Sequence, residues 1–123
     1  METQRIYRHD EREDDNGIIN EQLPLSEQFR IIAKRWVDAD SAASLLEETK
    51  SAFLSRLMIR TGETAVSKAE MTVKGSDEWL EHVTKMVKAR EKATLLKVQL
   101  EYIRMRFNEW QSAEATRRAE MKL

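Results

Sequence analysis

The stretch WLEHVTKMVKAREKATLLKVQLEYIRMRFNEW, residues 79–110, decides the fold. Trp79, His82, Met86, Ala89, Ala93, Leu96, Leu100, Ile103, Phe107 and Trp110 follow one another in alternating steps of three and four residues. No Gly or Pro interrupts them. Such steps keep a row of side chains on one edge of an α-helix, the edge that packs against other helices. The spacing predicts a long helix whose task is to assemble helices, and it leaves little room for an enclosed active site.

Working outward, Gly75-Ser76 opens this helix. Ser76 is a good N-cap, and Asp77 and Glu78 set negative charge at the positive end of the helix dipole. Nothing breaks the pattern before about Lys122, so the helix is expected over about 76–122. Upstream, Phe29, Ile32, Trp36, Ala39, Ala43, Leu46, Lys50, Phe53 and Leu57 form a second seam. It predicts a helix over about 26–60, starting at Ser26 after Pro24 and stopped by Thr61-Gly62. Asp38, Asp40 and Ser41 are weak helix formers, which puts a bend near Asp40. Ala39, Ala42 and Ala43 would let another helix approach closely. In the connector, 61–75, Ser67 and Glu70 have capping-box spacing and predict a short helix over 68–73.

Residues 1–24 read as an acidic, largely flexible arm, with Asp10-Glu11-Arg12-Glu13-Asp14-Asp15 too polar to pack. Ile18, Ile19, Leu23 and Leu25 are the apolar group expected to dock its end. Residues 25–123 form the helical hairpin domain. The expected fold is all-α: a long antiparallel helical hairpin with a short connecting helix, a coiled-coil-like pair. Val83, Val87, Leu95, Val98, Tyr102 and Met105 lie beside the main seam, and a second apolar row asks for a second partner. The hairpin is therefore expected to be completed by oligomerisation into a helical bundle. The oligomer seam is assigned to Trp79, Met86, Ala93, Leu96, Leu100, Ile103, Phe107 and Trp110.

Composition agrees with helices. In 123 residues, 35% are charged, while Gly and Pro number 3 and 1, a bias that favours long helices over turns. There is no cysteine, which excludes a disulfide, a thiolate nucleophile and a zinc–thiolate site. No apolar run nears the ~20 residues that cross a bilayer, and the N-terminus lacks a signal-peptide pattern, so a cytoplasmic protein is expected. His82 follows Trp79 by three, where a di-metal helix bundle needs a Glu, and His9 falls in the arm. Gly17, Gly62 and Gly75 are isolated and open no phosphate loop. Ser41, Ser44, Ser51 and Ser55 have no histidine spaced to serve as their base. Asp38 with Asp40 and the Glu47-Glu48 pair have the chemistry to bind a divalent ion, but exposed helix carboxylates are far commoner and are the reading taken. No enzyme, metal or cofactor is expected.

Charge is unevenly spread. Residues 1–22 hold three Arg against seven acids, whereas residues 51–123 hold fourteen bases against ten acids. Between Lys85 and Arg106, seven bases face Glu91 and Glu101. Basic side chains neutralise phosphates and aromatic rings stack on unpaired bases. Lys85, Lys88, Lys92, Arg104, Arg106, Tyr102, Arg117 and Arg118 are thus the candidate nucleic-acid-binding residues. The bland alternative, a solvated charge-mixed face with Phe107 and Trp110 in the core, stays open.

Three runs carry a family resemblance: Asp38-Ala39-Asp40-Ser41-Ala42-Ala43-Ser44-Leu45-Leu46-Glu47-Glu48-Thr49-Lys50-Ser51, residues 68–79 from Lys68 to Trp79, and residues 106–114 from Arg106 to Glu114. Together they resemble small helical accessory proteins of tailed phages and prophages that are encoded among recombination and replication genes. The resemblance covers roughly residues 26–120 and brings no catalytic motif. It implies a non-enzymatic accessory role in DNA recombination or replication, with single-stranded DNA or a recombination enzyme as partner of a homo-oligomer. Two other readings remain. One is a protein–protein adaptor or inhibitor of a host nuclease or defence complex, using the acidic arm. The other is a virion assembly or scaffold protein.

Overall fold

The computed structural model describes residues 17–122. The acidic run Asp10–Asp15 and His9 lie outside the described residues. Helices make up 84% of what is described, and no strand occurs among the described residues. The protein is all-α. Four helices follow in order: α1 (Leu25–Glu48), α2 (Lys50–Arg60), α3 (Val66–Lys74) and α4 (Asp77–Met121). The residues fall into two compact units. One is Asp38–Thr94; the other combines the chain up to Val37 with the chain from Leu95 onward.

In the Asp38–Thr94 unit, the helix expected as one piece over 26–60 is interrupted, at Thr49 instead of near Asp40. Thr49 has φ −91° and ψ 1°, well away from the helical ψ of about −42°. Its hydroxyl donates to the Leu45 carbonyl at 2.6 Å. A threonine hydroxyl bonded to the carbonyl four residues back bends a helix. The Asp residues near position 40 produce no break because Asp40 is held by an arginine, described below.

Local signals set the remaining boundaries. Gly62 follows the α2 C-cap with φ +74°, the left-handed conformation that only Gly adopts without strain. Ser76 Oγ accepts the Trp79 amide at 3.2 Å, the expected cap of α4. The capping box in the connector does not form. α3 starts after Ala65 with no side-chain cap, so Ser67 is already inside the helix, and Glu70 pairs with Lys74 at 2.7 Å.

The core of this unit is Leu57, Val73 and Trp79, with Phe53, Leu54, Met58 and Val83 packed against them. His82 stacks on Phe53, ring centroids 4.1 Å apart, and Lys50 Nζ lies 5.8 Å from the centre of the Trp79 ring. His82 is therefore a packed residue of an aromatic stack. Ala39, Ala43 and Ala93 are buried, and such small side chains permit close approach of backbones. Beside them Arg90 Nη1 donates to Asp40 at 2.7 Å. Its Nη2 and Nε donate to Glu47 at 2.8 and 2.9 Å. Asp40 and Glu47 thus converge on one guanidinium.

The Arg90 hydrogen bond holds the Glu47 carboxyl below its ordinary value of 4.5. A depressed folded-state pKa gives stability that is present above the ordinary value and is lost as pH falls through the depressed one. Arg90→Ala should lower Tm at neutral pH, and the gap to the wild type should narrow in acid as pH falls below 4.5. A gap that stays constant from pH 7 to pH 3 in thermal melts followed by circular dichroism would exclude the ion pair as its cause.

In the other unit, Leu23, Ile31, Ile32, Leu96 and Ile103 are buried together with Gln28 and Arg35. The buried edge of α1 here is Gln28, Ile31, Ile32 and Arg35. It is turned by one residue from the expected Phe29, Ile32, Trp36 seam, whose two aromatics are half-buried. The reason lies in residues 17–23. Gln28 Nε2 donates to the carbonyls of Glu21 and Leu23 at 3.0 and 2.8 Å, and Arg35 Nη1 donates to the Gly17 carbonyl at 2.6 Å. These carbonyls have no helix or strand partner, and buried backbone acceptors require one. Of the docking group, Leu23 is buried, Ile19 and Leu25 are half-buried and Ile18 is 99% exposed. α1 begins at Leu25 with Pro24 accepting the Glu27 and Gln28 amides, each at 3.0 Å. Pro24 therefore holds the cap position expected of Ser26.

Candidate interaction surfaces

The α4 seam divides where α1 begins. Trp79, Ala93, Leu96 and Ile103 are buried within one copy, and Met86 and Leu100 are half-buried. Six of the eight residues assigned to the oligomer seam are thereby wholly or partly covered by their own chain. Phe107 and Trp110 differ: they are 42% and 54% exposed. The next partner position on α1 would fall before Pro24, which lacks an amide hydrogen and starts the helix.

The row beside the seam is the open one. In the second unit, Leu95, Val98, Tyr102 and Met105 are all more than half exposed, between 55% and 61%. Their spacing of three, four and three puts them on one face of α4, about 15 Å long at 1.5 Å per residue. Val83 is the exception in the expected row, since it packs on the Trp79 core. An exposed contiguous apolar patch on a folded protein marks an interaction site more often than a scatter of single residues does.

The basic candidates do not form one group. Lys85, Lys88 and Lys92 belong to the Asp38–Thr94 unit, share one helix face by their spacing, and are exposed. None of the three has an ion pair among the described residues. Arg104, Arg106, Arg117, Arg118 and Tyr102 belong to the other unit. Residues two apart on a helix point to different sides. Arg104 accordingly lies over the Phe29 ring, 5.8 Å from its centre. Arg106 lies 5.8 Å from the Tyr102 centroid, and its Nη1 is 3.4 Å from Gln28 Oε1. Arg117 pairs with Glu114 at 2.7 Å.

An apolar groove of about 740 Å³ opens in the same unit. Leu25, Phe29, Ile103 and Phe107 line it, with Trp110 stacked on Phe107 at a centroid distance of 6.0 Å. Arg104 and Arg106 stand at its edge. Sequence reasoning placed Phe29 on the seam of the first helix and Phe107 and Trp110 on the oligomer seam. The signal that places them in a groove is Pro24, which fixes where α1 starts.

Among the described residues no cluster of three or more His, Asp or Glu is placed to hold a metal ion. No helix among them is long and apolar enough to cross a membrane. Comparison with family models, with curated proteins and with solved structures finds no match.

Proposed function

We propose that this chain is a non-enzymatic accessory protein of phage DNA recombination or replication that works by assembling helices. It self-associates through the Leu95, Val98, Tyr102, Met105 face and presents Lys85, Lys88 and Lys92 to the phosphates of single-stranded DNA. The observation that carries the assembly half is the exposure of four large side chains at helical spacing on one face of α4. Support for the DNA half comes from three lysines on a common face that have no ion pair among the described residues, and the phage setting rests on the resemblance of residues 38–51, 68–79 and 106–114.

Light scattering on the full chain should give a mass above that of a monomer. Leu95→Glu combined with Met105→Glu should return it to a monomer with unchanged helicity, since both side chains face solvent. A wild type that stays monomeric at high concentration rules out the assembly half. For DNA, polarisation of labelled oligo(dT) at low salt should report binding. Replacing Lys85, Lys88 and Lys92 by Glu should weaken it by about tenfold or more and flatten the log–log salt slope by about 2, since each single-strand phosphate contact contributes about 0.7. No binding by the wild type at low salt removes single-stranded DNA as the partner.

A further inference from the structure

The groove at the start of α1 has a chemistry of its own, separate from the outward stripe of α4. Its floor and walls are apolar and aromatic, and its volume of about 740 Å³ lies within the range of pockets that enclose a small ligand or a few side chains. Its charge is positive. Neither Arg104 nor Arg106 has a carboxylate partner among the described residues; each guanidinium instead lies over a ring. The first turn of α1 opens on the groove at Leu25 and Ser26, adding the positive end of a helix dipole. Glu21 is the one carboxylate lining it.

An apolar slot lined in part by two arginines that have no carboxylate partner among the described residues fits an occupant with apolar side chains and flanking acids. We propose that this groove docks an acidic–apolar peptide segment of a partner protein. One or two large side chains of the segment pack between Phe29, Ile103 and the Phe107–Trp110 stack, and its Asp or Glu flanks meet Arg104 and Arg106. The exposed stripe of a second copy is a poorer occupant. Its flanks, Lys97 and Arg104 with Glu101 between them, bring more cations than acids to the arginines. The inference stands whether or not the stripe self-associates, because none of Leu95, Val98, Tyr102 and Met105 lines the groove.

The test is polarisation with the full chain and a fluorescein-labelled synthetic peptide in which Asp pairs flank a Leu-Phe centre. A version flanked by Lys pairs is the control. The acidic peptide should bind and the Lys version should not. Trp110→Ala and Arg104→Glu should each weaken binding by about tenfold or more, as loss of an aromatic anchor or of a charge-assisted contact does, at unchanged solution mass. Leu95→Glu with Met105→Glu should leave peptide affinity intact, which separates this site from the assembly face. The inference is overturned if the acidic peptide fails to bind at millimolar concentration, if both peptides bind alike, or if the two groove variants bind as the wild type does. It is equally overturned if Trp110→Ala lowers the solution mass, which would make a second copy the occupant. Displacement of the peptide by oligo(dT) in the triple Lys→Glu variant would make nucleic acid the occupant and also overturn it.

Discussion

Trp79→Ala should destabilise the protein by about 3–5 kcal/mol, the range for truncating a buried Trp. Trp79 closes the core formed with Leu57 and Val73, faces Phe53 at a ring distance of 6.3 Å, and carries Lys50 over its ring. Its amide also takes the Ser76 cap. Alanine keeps that cap, so the loss comes from the side chain: apolar area, dispersion contacts and a ring stack removed together. Domains of ordinary stability have about 5–15 kcal/mol in total, so a large share of the margin goes. The urea midpoint should fall sharply with an unchanged slope. Trp110→Ala, at the other end of the same sequence pattern, should move the midpoint by less than about 0.5 kcal/mol equivalent, as surface substitutions do. Equal losses for the two tryptophans would show that Trp110 is covered in solution.

That contrast marks the limit of what spacing alone reveals. The three–four pattern from Trp79 to Trp110 fixes a helix and an edge, Ser76 fixes its start, and Gly62 and Pro24 fix its neighbours' ends. These signals are local: each is a side chain or a dihedral acting within one turn. Which part of the edge is covered depends on a distant residue, the start of α1, and periodicity carries no such information. The Thr49 interruption was missed for a related reason. Aspartates are poor helix formers, which pointed to position 40, but Arg90 binds Asp40 from another helix and offsets that weakness. Thr49 has no such partner among the described residues, and its hydroxyl turns back on its own backbone. The candidate basic residues were grouped by nearness in sequence, whereas helix rotation sends Arg104 and Arg106 to different neighbours.

The least legible part of the fold is the burial of Gln28 and Arg35, and it bears on the second large effect. Ile32→Ala should cost about 2–5 kcal/mol, and the upper half of that range is expected. The cost of deleting a buried side chain depends on how far the surroundings collapse into the space left. Ile32 is fully buried, on the same edge of α1 as Gln28 and Arg35. Those two side chains are pinned to the carbonyls of Glu21, Leu23 and Gly17. Moving Gln28 inward would strip the buried Leu23 carbonyl of its donor, at about 1–3 kcal/mol, and moving Arg35 would break its part-buried bond to Gly17, so the cavity stays open. A polar residue in a seam position reads as surface, and the segment that covers it has no periodicity to announce itself, which is why the sequence pointed to Phe29 and Trp36 instead. Ile18→Ala, on a side chain left almost wholly in solvent, should change stability by less than about 0.5 kcal/mol. Urea unfolding of the two variants side by side tests the arrangement. A loss below about 1 kcal/mol for Ile32→Ala would mean that residues 17–23 yield with the cavity and that their hydrogen bonds to α1 do not hold the edge in place.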